Sequence, residues 1–191
     1  MKDIKVAMVS LGCAKNRVDA EMMMYKIKEA GFILKDDPAK ADIAIVNTCG
    51  FIESAKQESI EEIIELGKLK EEGTIKHIVV TGCLAERYKE QIAAELPEAD
   101  AVIGLGANGD IVETLKAVAQ GIHTESFPDK SLQPLSDKRL QSTPLHYAYL
   151  GLQTDATTVA PTVQFPSFAE ASAAAGWRRS LKRRSTLYRA E

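Results

Sequence analysis

The chain has 191 residues, of which 45 % are hydrophobic and 27 % charged, with a formal net charge of −3. This length holds one α/β domain with a proper core and a tail but not two full domains, and the small negative charge excludes a whole-chain field that would draw nucleic acid or an anionic membrane. The run Met1-Lys2-Asp3-Ile4-Lys5-Val6 interleaves charge with apolar residues, and no later stretch approaches the ~18 apolar residues of a membrane span, so a cytoplasmic protein without membrane partners is expected.

Residues 4–10 form an apolar run short enough for a buried strand, closed by Gly12. From about Val18 to Ala30, Met22, Met23, Tyr25 and Ile27 recur at helical spacing, and Gly31 stands where a helix end wants a residue tolerant of positive φ. Phe32 to Leu34 reads as a short strand and Asp42 to Asn47 as a stronger one. Glu53 to about Leu69 is a helix with Ile60, Ile63 and Ile64 on one face and Glu61, Glu62 and Glu65 on a solvated one. His77 to Thr81 is the next strand, Leu84 to Leu96 a helix, Ala101 to Ile103 another apolar run, and Gly109 to Ala119 a helix carrying Ile111, Leu115 and Val118. This alternation predicts an α/β fold over residues 1–120: a doubly wound, mostly parallel sheet with helices on both faces.

Residues 121–150 carry Pro128, Pro134 and Pro144 among polar residues, as an extended linker would. Residues 151–191 are rich in Thr and Ala, then basic at Arg178, Arg179, Lys182, Arg183 and Arg184, and their composition predicts a disordered tail.

The three cysteines are an odd number in a reducing compartment, which argues against a disulfide framework. Cys13, Cys49 and Cys83 each fall just past the carboxyl end of a predicted strand, on the edge where open parallel sheets build their ligand sites, and each has a glycine neighbour that leaves room for close approach. A single buried cysteine is ordinarily a small hydrophobe; three at equivalent strand ends point to a shared ligand. Zinc usually takes a fourth protein ligand, and His77, His123 and His146 lie in a strand or in the linker. An iron–sulfur cluster is the better match, because three thiolates leave one iron open. A non-enzymatic iron–sulfur or zinc-binding module remains an alternative, as does a flavodoxin-like flavin binder. Against the latter, Leu11-Gly12-Cys13-Ala14-Lys15 is not the hydroxyl-rich loop that a flavin phosphate favours. Asn16, Asp19 and Glu21 suit a helix amino terminus, where polar and acidic side chains complement unpaired amides.

The words around the cysteines carry a resemblance. Ser10-Leu11-Gly12-Cys13-Ala14-Lys15-Asn16-Arg17-Val18-Asp19-Ala20-Glu21, Val46-Asn47-Thr48-Cys49-Gly50-Phe51-Ile52 and Thr81-Gly82-Cys83-Leu84 resemble the amino-terminal domain of the radical-SAM methylthiotransferases, over residues 4 to 150. Lys15 to Asp19 and Cys49 to Ile52 resemble the branch acting on an aspartate of a small-subunit ribosomal protein; the transfer-RNA branch is the alternative. The resemblance implies that Cys13, Cys49 and Cys83 hold an auxiliary 4Fe-4S cluster. It also implies a second 4Fe-4S cluster and S-adenosylmethionine in a following domain, and a small-subunit ribosomal protein as substrate of the full enzyme. No direct nucleic-acid site is evident, and a monomer is expected.

The second cluster motif is absent, since no cysteine follows Cys83. Where the family continues Tyr149-Leu150 with a Gly-Cys-Asp-x-Arg-Cys-x-Tyr-Cys segment, this chain reads Gly151-Leu152-Gln153-Thr154-Asp155. Synonymous codons for residues 150–169, regrouped from the third base, can spell such a segment. A reading-frame change near residue 150 is therefore expected, with residues 151–191 out of frame and the chain inactive alone.

Overall fold

The computed structural model describes residues 3–130, 138–144 and 146–149. Six parallel strands form one sheet: β1 (Lys5–Ser10), β2 (Ile33–Lys35), β3 (Ile43–Thr48), β4 (His77–Gly82), β5 (Ala101–Ile103) and β6 (Thr124–Ser126), in the order β2-β1-β3-β4-β5-β6. Five α-helices connect them: α1 (Ala14–Glu29), α2 (Glu53–Glu71), α3 (Cys83–Arg87), α4 (Lys89–Glu95) and α5 (Ile111–Val118). The expected α/β class, with a parallel sheet covered on both faces, is the one observed.

Side chains alternate across each strand, so the sheet has two cores. On one face Ala44, Val46, Ile78, Val80 and Val102 pack under Ile60, Ile63 and Leu66 of α2 and Leu84 and Ile92 of α3 and α4. On the other, Val6, Ile43, Ile45, Val79, Ala101 and Ile103 meet Met23 and Ile27 of α1 and Ile111, Leu115 and Val118 of α5. Strand β3 is buried at all six positions, which is why Ile43-Ala44-Ile45-Val46 reads as a continuous apolar run rather than an alternation. Each such buried Val, Leu, Ile or Met side chain contributes about 1.5–3 kcal/mol.

The connection β1–α1–β2 winds to one side of β1, and the chain then crosses to open β3 on the other. Crevices at such a reversal lie at the carboxyl ends of the strands, here those of β1 and β3.

Three local details differ from the sequence reading. Helix α1 starts at Ala14, four residues before Val18, because Cys13 takes extended backbone and serves as its N-cap residue. The single helix expected over Leu84–Leu96 is two, broken at Tyr88 (φ −122°, ψ 32°); the phenol of Tyr88 there packs against the core beneath α2 and faces the Lys56 ammonium, 5.1 Å from its ring centroid. The sheet also continues past Gln120: β6 pairs with β5 through Thr124 opposite Ala101, and Leu140 donates its amide to the Glu21 carbonyl at 3.0 Å. The tail expected over 151–191 lies outside the described residues. Among those described, no helix is long and apolar enough to cross a membrane.

Candidate functional site

Strands β1, β3 and β4 are neighbours, and their carboxyl ends deliver Cys13, Cys49 and Cys83 to one edge of the sheet. Cys13 is exposed at the start of α1, Cys83 is half-buried as the first residue of α3, and Cys49 is buried at 6 % exposure.

Two glycines make this convergence possible. Gly12 has φ +87°, and a Cβ there would stand 2.6 Å from Cys49 Cβ and 2.7 Å from Cys49 Sγ. Gly82 has φ +101°, and a Cβ would press to 2.3 Å from the carbonyl oxygen of Thr48. Both positions need a left-handed backbone and no side chain at once, conditions that only glycine meets cheaply.

A buried polar frame lies beneath the thiols. The Asn16 amide donates through Nδ2 to the carbonyls of Leu11 at 3.0 Å and Thr48 at 2.9 Å, and its Oδ1 lies 3.5 Å from Cys83 Sγ. Asn47 Nδ2 in turn donates to the Asn16 carbonyl at 2.7 Å. Ser59 Oγ accepts from the Cys49 amide at 3.0 Å, with its own proton within reach of the Ala55 carbonyl at 2.8 Å. Arg87 donates to the Gly50 carbonyl at 3.3 Å. Every cysteine loop is therefore tied to at least one element that does not carry that cysteine.

Asn16, Asp19 and Glu21 do not cap α1, contrary to the expectation from sequence; all three are buried, and the cap residue Cys13 makes no side-chain bond. Asp19 pairs with Lys15 at 2.5 Å, and Glu21 accepts from Ser142 far along the chain. The roles of Ser59 and Arg87 went unforeseen. The available signal for Ser59 was a serine in the middle of an otherwise apolar and charged helix, a place where hydroxyls bond back to the i−4 carbonyl. His77 stays an ordinary strand residue beside Asp100, at 3.4 Å.

Burial pushes the Cys83 thiol up to about 11; Lys15 pulls it down, while Cys13, Cys49 and Asp19 add to the rise. In the metal-free protein Cys83 is thus a thiol at neutral pH, and a metal must displace its proton to bind. Helices α1 and α2 both begin at this edge, where their amino-terminal amides favour negative charge. Among the described residues, no three His, Cys, Asp or Glu side chains converge on a point suited to a single ion. The donor set is three sulfurs on loops that glycines allow to pack closely, the chemistry that a polynuclear iron–sulfur group takes from a protein.

Residues 5–104 match the model of the "Uncharacterized protein family UPF0004". Similar curated proteins carry the name ribosomal protein uS12 methylthiotransferase RimO. That of Lachnoclostridium phytofermentans is 45 % identical over 148 residues, 77 % of this chain and 34 % of the relative. That of Anaeromyxobacter sp. (strain K) is 48 % identical over 149 residues, 76 % of this chain and 31 % of the relative. That of Clostridioides difficile is 47 % identical over 148 residues, 77 % of this chain and 33 % of the relative. The chain spans about a third of the length of these relatives.

Proposed function

The chain belongs to the UPF0004 family, the amino-terminal domain of the methylthiotransferases, and we propose that Cys13, Cys49 and Cys83 hold its auxiliary 4Fe-4S cluster. The observation that carries this reading is the delivery of three thiols to one sheet edge by three adjacent strands, around glycines that a Cβ would fill. A single ion would need every thiolate within about 2.3 Å of one atom, whereas a cluster offers separate irons to separate thiolates.

When bound, such a cluster supplies an open iron able to carry the sulfur to be delivered. The chain's own residues do the rest of the work at this edge. Gly12 and Gly82 let the loops close around the group, Asn16 and Ser59 fix loop backbone, and the helix amino termini offset the negative charge of three thiolates.

The full enzyme, on this reading, transfers a methylthio group to an aspartate of a small-subunit ribosomal protein, using S-adenosylmethionine and a second 4Fe-4S cluster in a following domain. The names of the relatives support that substrate class over transfer RNA. The present chain, with no cysteine after Cys83, does not carry out the radical step alone.

Anaerobic reconstitution with iron and sulfide tests the proposal. The expected result is about four irons and four sulfides per chain, lost when any one of the three cysteines becomes serine. Stoichiometric zinc with no iron-dependent colour would overturn it. Cleavage of S-adenosylmethionine by this polypeptide would overturn the inactivity.

A further inference from the structure

We infer that Asn16 is the positioning residue that holds the three cysteine loops in a common arrangement before any metal arrives. The inference rests on the cluster reading for its purpose; the geometry behind it is the hydrogen bonding of the Asn16 side chain. Asn16 is fully buried on α1, one turn past Cys13. Its two Nδ2 protons go to two different cysteine loops, the Leu11 carbonyl ahead of Cys13 and the Thr48 carbonyl ahead of Cys49. Its Oδ1 is the acceptor facing Cys83 Sγ on the third. One planar amide therefore contacts all three loops.

The plane of the amide makes the tie specific. Two donors and one acceptor diverge from a rigid group, so the loop ends are held at fixed separations rather than merely packed. Asn47 on β3 donates to the Asn16 backbone carbonyl at 2.7 Å, which ties this turn of α1 to the sheet. Groups that orient metal ligands in this way typically change metal affinity 10–100-fold when removed.

The test compares Asn16→Ser, which keeps one donor, and Asn16→Ala with the wild type and with Ile111→Val, a core change on α5 that loosens the fold without touching the cysteine loops. In metal-free protein, alkylation by N-ethylmaleimide followed by peptide mass spectrometry reads each thiol separately. Cys49 and Cys83 are expected to react about 10-fold faster in the Asn16 variants, while exposed Cys13 is unchanged and Ile111→Val behaves as wild type. Equal rates in all four proteins, or an equal rise in Ile111→Val, overturn the inference. In reconstituted protein the Asn16 variants should surrender iron to a chelator about 10-fold faster, in the order Ala, Ser, wild type, with altered g-values in the reduced cluster. If the wild type takes up no iron and sulfide, the cluster reading fails, and the alkylation rates still decide the role of Asn16.

Discussion

Glu21 and Ser142 stand 121 residues apart in the chain, and one carboxylate oxygen of Glu21 accepts both the amide and the hydroxyl of Ser142 at 2.8 Å. The second oxygen lies 3.7 Å from Arg139 Nε, and the Glu21 carbonyl takes the Leu140 amide, so a residue in the middle of α1 clasps the segment that leads away from the sheet. The Glu21 side chain is almost wholly buried, and its loss removes the acceptor that fixes this segment to α1. Glu21→Ala should cost about 1 kcal/mol, since exposed Ser142 regains water as a partner, and speed trypsin cleavage after Lys138 and Arg139. An unchanged urea midpoint together with an unchanged cleavage rate would show that the clasp holds nothing.

Gly12 and Gly31 permit a paired comparison. Both have positive φ, +87° and +92°, but a Cβ on Gly31 meets nothing within 4 Å while one on Gly12 strikes the Cys49 side chain. Alanine at either site carries the left-handed penalty of about 1–2 kcal/mol. Only Gly12→Ala should also abolish iron uptake, because the Cys49 sulfur has to move. Iron content measured on both variants, each checked for folding by circular dichroism, decides the matter; full loading of Gly12→Ala would contradict the proposed site.

The Cys83 thiol, raised to about 11 by burial, sets a pH dependence for loading. Below that value the thiol carries a proton that iron must expel, so each release favours the loaded form by about a factor of 10 per pH unit. Occupancy in competition with a fixed chelator should therefore rise from pH 6 to pH 9, and proton uptake should accompany metal removal. A flat profile would mean that Cys83 does not ligate.

Asp100 ties α2 to the start of β4. Burial opposes its ionisation, but hydrogen bonds from the Lys70 ammonium at 2.5 Å and the Ile78 amide at 2.9 Å outweigh it, and the carboxyl lies below its ordinary value. A folded pKa below the unfolded one gives stability that is present above about pH 4 and lost as the pH falls through the folded value. The stability gap between wild type and Asp100→Asn, followed by thermal unfolding, should thus narrow from pH 6 to pH 3. A gap independent of pH would show that the lost bonds matter only as neutral contacts.

What the amino-acid order determined by itself was whatever is written at short range. The apolar runs of β1, β3 and β4, the helical spacing of α1, α2 and α5, and the positive φ at Gly31 follow from neighbouring residues, and so does the arrival of each cysteine just past a strand end. The three-residue β6 has the exposures intermediate, exposed and intermediate, so it carries no apolar signal and becomes a strand only because β5 offers it an edge. The break at Tyr88 has no glycine or proline to announce it, and the ring there faces Lys56 on α2. The polar residues of α1 show the division most plainly. Asn16, Asp19 and Glu21 read as helix-start residues because polar and acidic side chains there complement unpaired amides. They are buried because Leu11, Thr48, Lys15 and Ser142 supply their partners, three of those four from outside α1. Partners so distant in the chain are selected by strand order and helix packing, and those come from burying the two faces of the sheet together, which no local stretch of sequence encodes.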